Sequence, residues 1–251
     1  MKVWDRFYED HGKKLEWDNK SASRSPLLNN ISKKILRKLE KENWKNLSVL
    51  ELGGGIGLIT IMYAQKGANV TLLDNAEGAD ELAKQFWGGL KHEYAKEDLF
   101  KYSPKKEFDV VTSFGLCEHF IKGKRREILE RHIKFLKKDG VVFLSTPYKY
   151  GVFYRAAKFL MEITGRWKYG LEVPFSKSEY IKFAKEEKLD YEIIMGGFYA
   201  SAYDLLIKKP LKMFGINVPR KFENTKSLLD RIMGNTIIVL YKRKQRYARI
   251  F

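Results

Sequence analysis

Short apolar runs alternate with stretches of helical periodicity over the first 147 residues of the chain. Runs bounded by polar residues or glycine in this way are typical of buried strands in a parallel sheet. Between them, apolar residues recur three and four positions apart, and Ser25-Pro26 marks one helix start. The alternation predicts successive β-α-β units and a parallel sheet covered by helices on both faces. The predicted strands are 47–52, 69–73, 91–94, 108–114 and 141–146.

Beyond Pro147 the pattern is less regular. Ser176 and Glu179 have the spacing of a capping box, which predicts a helix that begins there and ends near residue 188. Two further apolar runs, at 191–195 and 236–241, predict a final pair of strands. We expect these two strands to be adjacent and antiparallel at one edge of the sheet.

Two segments remain, 148–175 and 198–232. Both are too apolar and aromatic to be linkers, so we expect them to form helices packed over the carboxyl ends of the strands. The chain is therefore predicted to form one domain. Its parts are an N-terminal helical cover (1–45), a cofactor-binding core (46–147), substrate-side insertions (148–175 and 198–232) and a basic tail (242–251), within a domain of residues 1–251.

The first predicted strand runs into Glu51-Leu-Gly53-Gly-Gly55-Ile-Gly57. Glycines let the backbone turn sharply and approach a ligand closely, and in an open parallel sheet the ligand crevice lies at the carboxyl ends of the strands. The second strand ends in Asp74, twenty-one residues after Gly53. At about that sequence spacing, a carboxylate can accept hydrogen bonds from both hydroxyls of a ribose. A dinucleotide-binding loop would need a third glycine where Leu58 stands. The pattern therefore predicts a nucleoside cofactor other than a dinucleotide.

Several ordered motifs resemble those of the Rossmann-like S-adenosylmethionine-dependent methyltransferases. They are the run 51–57, Asp74, Glu97-Asp98-Leu99, the run 108–120 and the run 136–146. The resemblance covers roughly residues 30–150. It implies an α/β fold with a doubly wound, seven-stranded sheet, mostly parallel with an antiparallel final hairpin, and S-adenosylmethionine as cofactor.

The same resemblance implies individual roles. The three glycines would lie against the methionine part of the cofactor, Asp74 would take the ribose hydroxyls, and Asp98 would accept from the adenine amino group. A helix N-cap is the alternative role for Asp98. The predicted cofactor-binding residues are Glu51, Gly53, Gly55, Gly57, Asp74, Asn75, Asp98, Leu99, Ser113 and Phe114.

Glu118 and His119 follow the fourth strand, at the rim where an acceptor should arrive. They are the leading candidates for proton handling or acceptor positioning, with the start of a helix as the alternative interpretation. Tyr148, just past the fifth strand, is the next candidate, because a phenol can stack on a planar acceptor or donate a hydrogen bond. Covalent attack by Cys117 is disfavoured, because no proline precedes it and the chain has no second thiol. No metal is expected.

The chain has 251 residues, and 44% of them are hydrophobic. That composition is ordinary for a globular protein. The sequence lacks an apolar run long enough to span a membrane, and Met1–Asp10 is polar where a signal peptide would be apolar. These features predict a cytoplasmic protein.

The charge is unusual: 48 Lys and Arg stand against 31 Asp and Glu, a formal net charge of +17. Residues 1–147 hold 27 basic and 21 acidic side chains, whereas residues 148–251 hold 21 and 10. In the second part the cations are interleaved with aromatics, a combination suited to phosphate neutralisation and base stacking. It occurs at 148–150, 154–155, 166–169, 208–209, 220–221 and 242–249.

From the placement of charge, the leading expectation is methyl transfer to RNA, either rRNA or tRNA, at a base nitrogen. One alternative is a small-molecule or lipid-precursor O-, N- or C-methyltransferase with an aromatic-lined acceptor pocket. A second alternative is a non-catalytic, cofactor-binding partner subunit.

Overall fold

The computed structural model describes residues 3–12, 19–197 and 234–244. The predicted insertion 198–232 lies outside the described residues, as does most of the basic tail. Nine α-helical and 3₁₀ segments are described: α1 (Val3–Gly12), α2 (Ser21–Arg24), α3 (Pro26–Leu39), α4 (Ile61–Ala64), α5 (Ala79–Trp87), the 3₁₀ turn Cys117–His119, α6 (Gly123–Lys134), α7 (Val152–Ile163) and α8 (Lys177–Glu186).

The strands form one seven-stranded sheet in the order β3-β2-β1-β4-β5-β7-β6. Neighbouring strands from β3 to β5 are parallel, and β7 runs antiparallel to both β5 and β6. The predicted fold and its antiparallel final hairpin are therefore confirmed. The strands are β1 (Ser48–Leu52), β2 (Asn69–Asp74), β3 (Glu93–Lys96), β4 (Phe108–Phe114), β5 (Leu136–Pro147), β6 (Leu189–Gly196) and β7 (Thr236–Arg243).

Both predicted helix starts are present. The Ser25 hydroxyl accepts a hydrogen bond from the Leu28 N–H, and Pro26 occupies the first turn of α3. At α8, the Ser176 and Glu179 side chains each accept from the other's backbone N–H, which completes the capping box. These caps satisfy N–H groups that have no partner within the helix.

The largest difference from the predicted strand boundaries is at the fifth strand. β5 begins at Leu136 rather than at 141, directly after α6 ends at Lys134. The exposed, polar residues 137–139 hide this strand start from a hydrophobicity pattern. Leu136 nevertheless pairs with Phe108 of β4, and the register of the two strands shifts between Phe108 and Val110. Ladder pairing with a neighbour decides the structure here, and it is a tertiary contact.

Apolar side chains pack on both faces of the sheet, and each face has its own cluster of buried residues. One cluster includes Ile31, Trp44 and Trp87, and the other includes Ile128, Phe183 and Tyr241. A parallel sheet buried in this way exposes its carboxyl-end edge between the helices. Between β1 and β4 the strand order reverses direction, which is where such sheets bind ligands.

Candidate active site

A cavity of about 390 Å³ opens at the carboxyl ends of β1, β2, β3 and β4. Its size is in the range of small-molecule sites. One side, here called the strand-end wall, consists of residues 51–59, 73–75 and 97–100 that line the cavity. The opposite side, here called the covering wall, consists of Trp4, Tyr8, Phe114, Gly115, Leu116, His119 and Phe120.

The glycine loop is held to the second strand by Asp74. One carboxylate oxygen, Oδ2, accepts from the Gly55 N–H at 2.8 Å, and Oδ1 accepts from the Ala76 N–H at 2.9 Å. Gly55 has a φ of +50°, a backbone conformation that side chains with a Cβ disfavour. Asp74 therefore fixes the loop as well as facing the cavity.

Glu51 lies at the base of the strand-end wall and is buried. One oxygen accepts a hydrogen bond from the Thr60 hydroxyl. Burial and, to a smaller extent, the charge of Asp74 raise the pKa of Glu51 to about 8 against the lowering effect of the Thr60 bond. The neutral carboxyl is thus favoured unless a positive charge lies beside it, and such a charge would lower the pKa again.

Asp98 and Leu99 both line the cavity next to β3. Asp98 Oδ1 accepts from the Phe100 N–H at 2.8 Å, so the carboxylate also caps the turn that follows. The two interpretations of this residue are compatible, because the cap involves one oxygen of two. Asn75, Gly53 and Phe114 line the cavity as well.

Three predicted cofactor residues do not line the cavity. Gly55 and Gly57 belong to the glycine loop, and their atoms lie outside the cavity lining. A Cβ on Gly57 would come within 2.8 Å of the Trp87 ring. Ser113 is fully buried, and its hydroxyl lies 3.0 Å from His132 Nε2. Because His132 Nδ1 donates to the Ile128 carbonyl, Nε2 accepts from Ser113. Ser113 therefore supports the interior of the fold.

Sequence analysis predicted a helical cover for residues 1–45 but did not identify Trp4 and Tyr8 of α1, which line the cavity. The signal was available: Trp4, Phe7 and Tyr8 have helical spacing, and Asp5 is an acidic residue in the first turn. Asp5 accepts from the Glu77 N–H at 3.0 Å. Trp4 also meets the His119 ring edge to face, with centroids 5.2 Å apart.

His119 reaches the cavity with a fixed orientation. Nδ1 lies 2.8 Å from the Leu171 carbonyl oxygen, to which it must donate. Nε2 lies 3.8 Å from a carboxylate oxygen of Glu172, whose other oxygen accepts from the Tyr154 hydroxyl. The insertion 148–175 thus orients the imidazole from a distance of about fifty residues along the chain.

Glu118 does not line the cavity and is almost completely buried. Its Oε2 has no hydrogen-bond partner in the described structure. Burial raises the pKa of Glu118 to about 8, and the nearby Glu172 carboxylate contributes in the same direction. Glu118 therefore lies in the interior next to the site, and its catalytic role stays a prediction.

The sequence predicted no metal. Among the described residues, Glu118, His119 and Glu172 offer possible ligand atoms that all lie within 4.8 Å of one another. Proximity of two carboxylates and an imidazole is compatible with a divalent cation and equally with proton transfer. The absence of a metal stays a prediction.

Some of the aromatic residues that suggested an RNA surface pack or hydrogen-bond within the fold, while Tyr150 and Tyr169 are exposed. Tyr148 is buried, does not line the cavity, and meets Tyr150 edge to face. Tyr154 binds Glu172, and the Trp167 indole N–H donates to the Gly170 carbonyl at 2.7 Å. Among the described residues that line the cavity, none is Lys or Arg. The predicted residues 208–209, 220–221 and 245–249 lie outside the described residues.

In the part of the chain that the structure describes, every helix is too short or too polar to cross a membrane. The cytoplasmic location stays a prediction.

Comparison with known families decides the class of this protein. A family model described as a methyltransferase domain matches residues 24–188. The chain belongs to this family. It is an S-adenosylmethionine-dependent methyltransferase, so the predicted enzyme class and cofactor are confirmed.

Curated relatives correct the predicted acceptor. The chain is 28% identical over 152 residues to a ubiquinone biosynthesis O-methyltransferase of Rickettsia akari, a match that covers 59% of this chain and 57% of the relative. A protein of the same name from Rickettsia prowazekii is 27% identical over 187 residues, covering 71% and 70%. The prediction that this methyltransferase modifies RNA is wrong, because these relatives are named for O-methylation in the synthesis of a small molecule.

Solved structures share the fold at low sequence identity. Magnesium protoporphyrin IX methyltransferase from Synechocystis, with bound S-adenosylhomocysteine, aligns with a TM-score of 0.58 and 15% identity, covering 96% of this chain and 93% of that one. An S-adenosylmethionine-dependent methyltransferase from Clostridium acetobutylicum also aligns with a TM-score of 0.58, at 14% identity, covering 97% and 100%.

Proposed function

We propose that this methyltransferase transfers the methyl group of S-adenosylmethionine to a hydroxyl group of a small, planar acceptor. The observation that carries the proposal is the fixed imidazole of His119 at the cavity, with Nδ1 committed to a carbonyl and Nε2 left as the acceptor. The names of the curated relatives support oxygen as the atom methylated.

The strand-end wall fits the cofactor chemically. S-adenosylmethionine has an ammonium group, a sulfonium, two ribose hydroxyls and an adenine amine. The described lining offers the carboxylates of Glu51, Asp74 and Asp98 and no Lys or Arg. We assign the ammonium group to Glu51, the ribose to Asp74, and the adenine amine to Asp98, with the Leu99 N–H on the ring.

When bound, the cofactor supplies an electrophilic methyl group, so the protein's main work is alignment and exclusion of water. Trp4 and Phe120 give the covering wall an apolar, aromatic surface for a planar ring. His119 Nε2 would accept the proton of the acceptor hydroxyl, and the cofactor's sulfur would leave as a neutral thioether on giving up the methyl group to the oxygen. Glu172, 3.8 Å away, stabilises the resulting imidazolium.

A direct test is transfer of labelled methyl from S-adenosylmethionine to catechol, 3,4-dihydroxybenzoate and their alkylated forms, with bulk RNA as a parallel substrate. We expect product on a phenolic oxygen and a fall in kcat of about 100-fold in His119→Ala. The Kd for S-adenosylhomocysteine should stay unchanged.

His92→Ala is the matched control. The His92 Nδ1 also lies near a backbone carbonyl, that of Leu90, but the residue does not line the cavity. It should keep the wild-type kcat. Full activity of His119→Ala, or methyl transfer to nitrogen or carbon only, would contradict the proposal.

A further inference from the structure

The hydroxyl of Tyr8 occupies a special position in the cavity. It lies directly over the glycine loop, where a Cβ built on Gly55 would be 1.9 Å from the phenol oxygen. Glu51 and Asp74 are close enough to act on the phenol electrostatically. The hydroxyl therefore lies near both carboxylates assigned above to the cofactor's ammonium group and ribose.

This hydroxyl forms no hydrogen bond with any described residue, and its tyrosine is half-buried at the cavity. A hydroxyl that faces a binding cavity without a protein partner can bond to the ligand that fills it. Tyr8 lines the cavity, so its partner is expected to come from whatever occupies the cavity.

The described lining narrows the identity of that partner. The cofactor's methionine part ends in a carboxylate, yet no lining residue among those described is Lys or Arg, and none is Ser or Thr. The carboxylate must therefore be met by backbone N–H groups or by the remaining donor side chains of the lining, Trp4, Tyr8, Asn75 and His119, of which Tyr8 lies over the glycine loop. A neutral donor is also the better choice beside a sulfonium, because a cation there would repel it.

We propose that Tyr8 is a cofactor-binding residue, whose hydroxyl donates a hydrogen bond to the carboxylate of the methionine part of S-adenosylmethionine. The inference rests on the proposed function, since it requires the cofactor to lie along the strand-end wall as assigned. It makes α1 a part of the cofactor site as well as a cover.

Contacts of α1 with two other segments give this bond a structural consequence. Asp5 is bonded to the Glu77 N–H, close to Asp74 along the chain. Phe7 meets Tyr169 of the insertion with ring centroids 5.9 Å apart. Docking of α1 and binding of the cofactor should therefore stabilise each other.

The decisive experiment is calorimetric binding of S-adenosylhomocysteine and of its decarboxylated analogue to wild type and Tyr8→Phe. Tyr8→Phe should weaken S-adenosylhomocysteine about tenfold, since a bond to a charged group is lost. It should leave the affinity for the decarboxylated analogue within about twofold of wild type. Amide exchange in residues 3–12 should slow when S-adenosylhomocysteine binds to wild type.

Tyr63→Phe is the matched control. Tyr63 is also a buried tyrosine whose hydroxyl has no partner in the described structure, but it stacks on Trp44 outside the cavity. It should bind both ligands as wild type does. The melting temperature of each unliganded variant checks its folding.

Equal weakening of both ligands in Tyr8→Phe would overturn the inference, because the carboxylate would then not be the partner. Unchanged binding of both would overturn it as well. Wild-type protein that binds S-adenosylhomocysteine but methylates no hydroxyl would contradict the proposed acceptor, and the Tyr8 comparison would still be decided by binding.

Discussion

The two walls of the cavity are built in different ways. The strand-end wall consists of residues at or just after successive strands, joined by short bonds such as Gly55 N–H to Asp74. The covering wall consists of residues from α1, from the end of β4 and from the turn after it, and the insertion 148–175 supports it through contacts such as His119 with Leu171. The difference separates two tasks. A rigid sheet edge can bind a cofactor that all members of a fold use. Segments outside the sheet can change to fit another acceptor without altering the sheet.

The largest expected effect concerns the strand-end wall. Asp74→Ala should weaken S-adenosylhomocysteine binding at least about 100-fold, because the carboxylate bonds both the loop and, by our assignment, the ribose. Calorimetric titration measures the change. Asp109→Ala is the control: this carboxylate accepts from the Ser48 N–H and hydroxyl at the other end of the sheet. It should lower Tm and leave Kd unchanged. A Kd for Asp74→Ala within threefold of wild type would contradict the assignment.

A smaller effect is expected where the two walls meet. Gly55→Ala should weaken S-adenosylhomocysteine binding about tenfold to 100-fold, because the new methyl would collide with the Tyr8 hydroxyl at a backbone φ of +50°. Gly165→Ala has a similar φ of +65° with no atom within 4 Å of its Cβ, so it carries the backbone cost without the collision. Its Kd should match wild type. If both variants bind equally well, Tyr8 does not lie over the loop.

The smallest effect belongs to the residue behind the covering wall, and it concerns stability. The pKa of Glu118 is about 8 in the folded protein against an ordinary value of 4.5, so the fold favours the neutral carboxyl. Its contribution to stability is fully present below pH 4.5 and is lost as pH rises through 8. Glu118→Gln keeps a neutral side chain, so its Tm should exceed wild type by roughly 3–6 °C at pH 9 and match it at pH 4.

Thermal unfolding across that pH range measures the difference, and the ionisation of Glu51 cancels because both proteins contain it. Glu127→Gln is the control, since this partly exposed carboxylate of α6 faces Lys124 and should show no such pH trend. The Kd for S-adenosylhomocysteine should not change with Glu118→Gln. A Tm difference that does not grow with pH would show that Glu118 is ionised in the fold.

Sequence patterns predicted the strand-end wall well and the covering wall poorly. Glu51 and Asp74 are strand ends, and a strand end is visible as the place where an apolar run stops. His119 was found for the same reason, because it follows β4 closely. Its partner Glu172 was missed, since nothing in the local pattern links residues more than fifty positions apart.

Two predictions from the second part of the chain depend on contacts that a sequence pattern does not contain. Tyr148 follows β5 as His119 follows β4, yet its ring is buried while the imidazole lines the cavity, so its role stays a prediction. The interleaved cations and aromatics that suggested RNA include residues with partners inside the protein. Trp167, for example, donates its indole N–H to the Gly170 carbonyl, and the Lys158 ammonium group lies over its ring.

By itself the sequence determined the alternation of strands and helices, the glycine loop, the acidic strand ends and hence the cofactor class. These features are local, because the hydrophobic period, the turn at the glycine loop and the end of a strand each depend on residues that are close in the sequence. Only the tertiary structure decided which side chains face the cavity, which partner orients His119, and that α1 brings Tyr8 over the loop. Those outcomes depend on packing between segments far apart in the chain, and a linear pattern does not contain the distances between them.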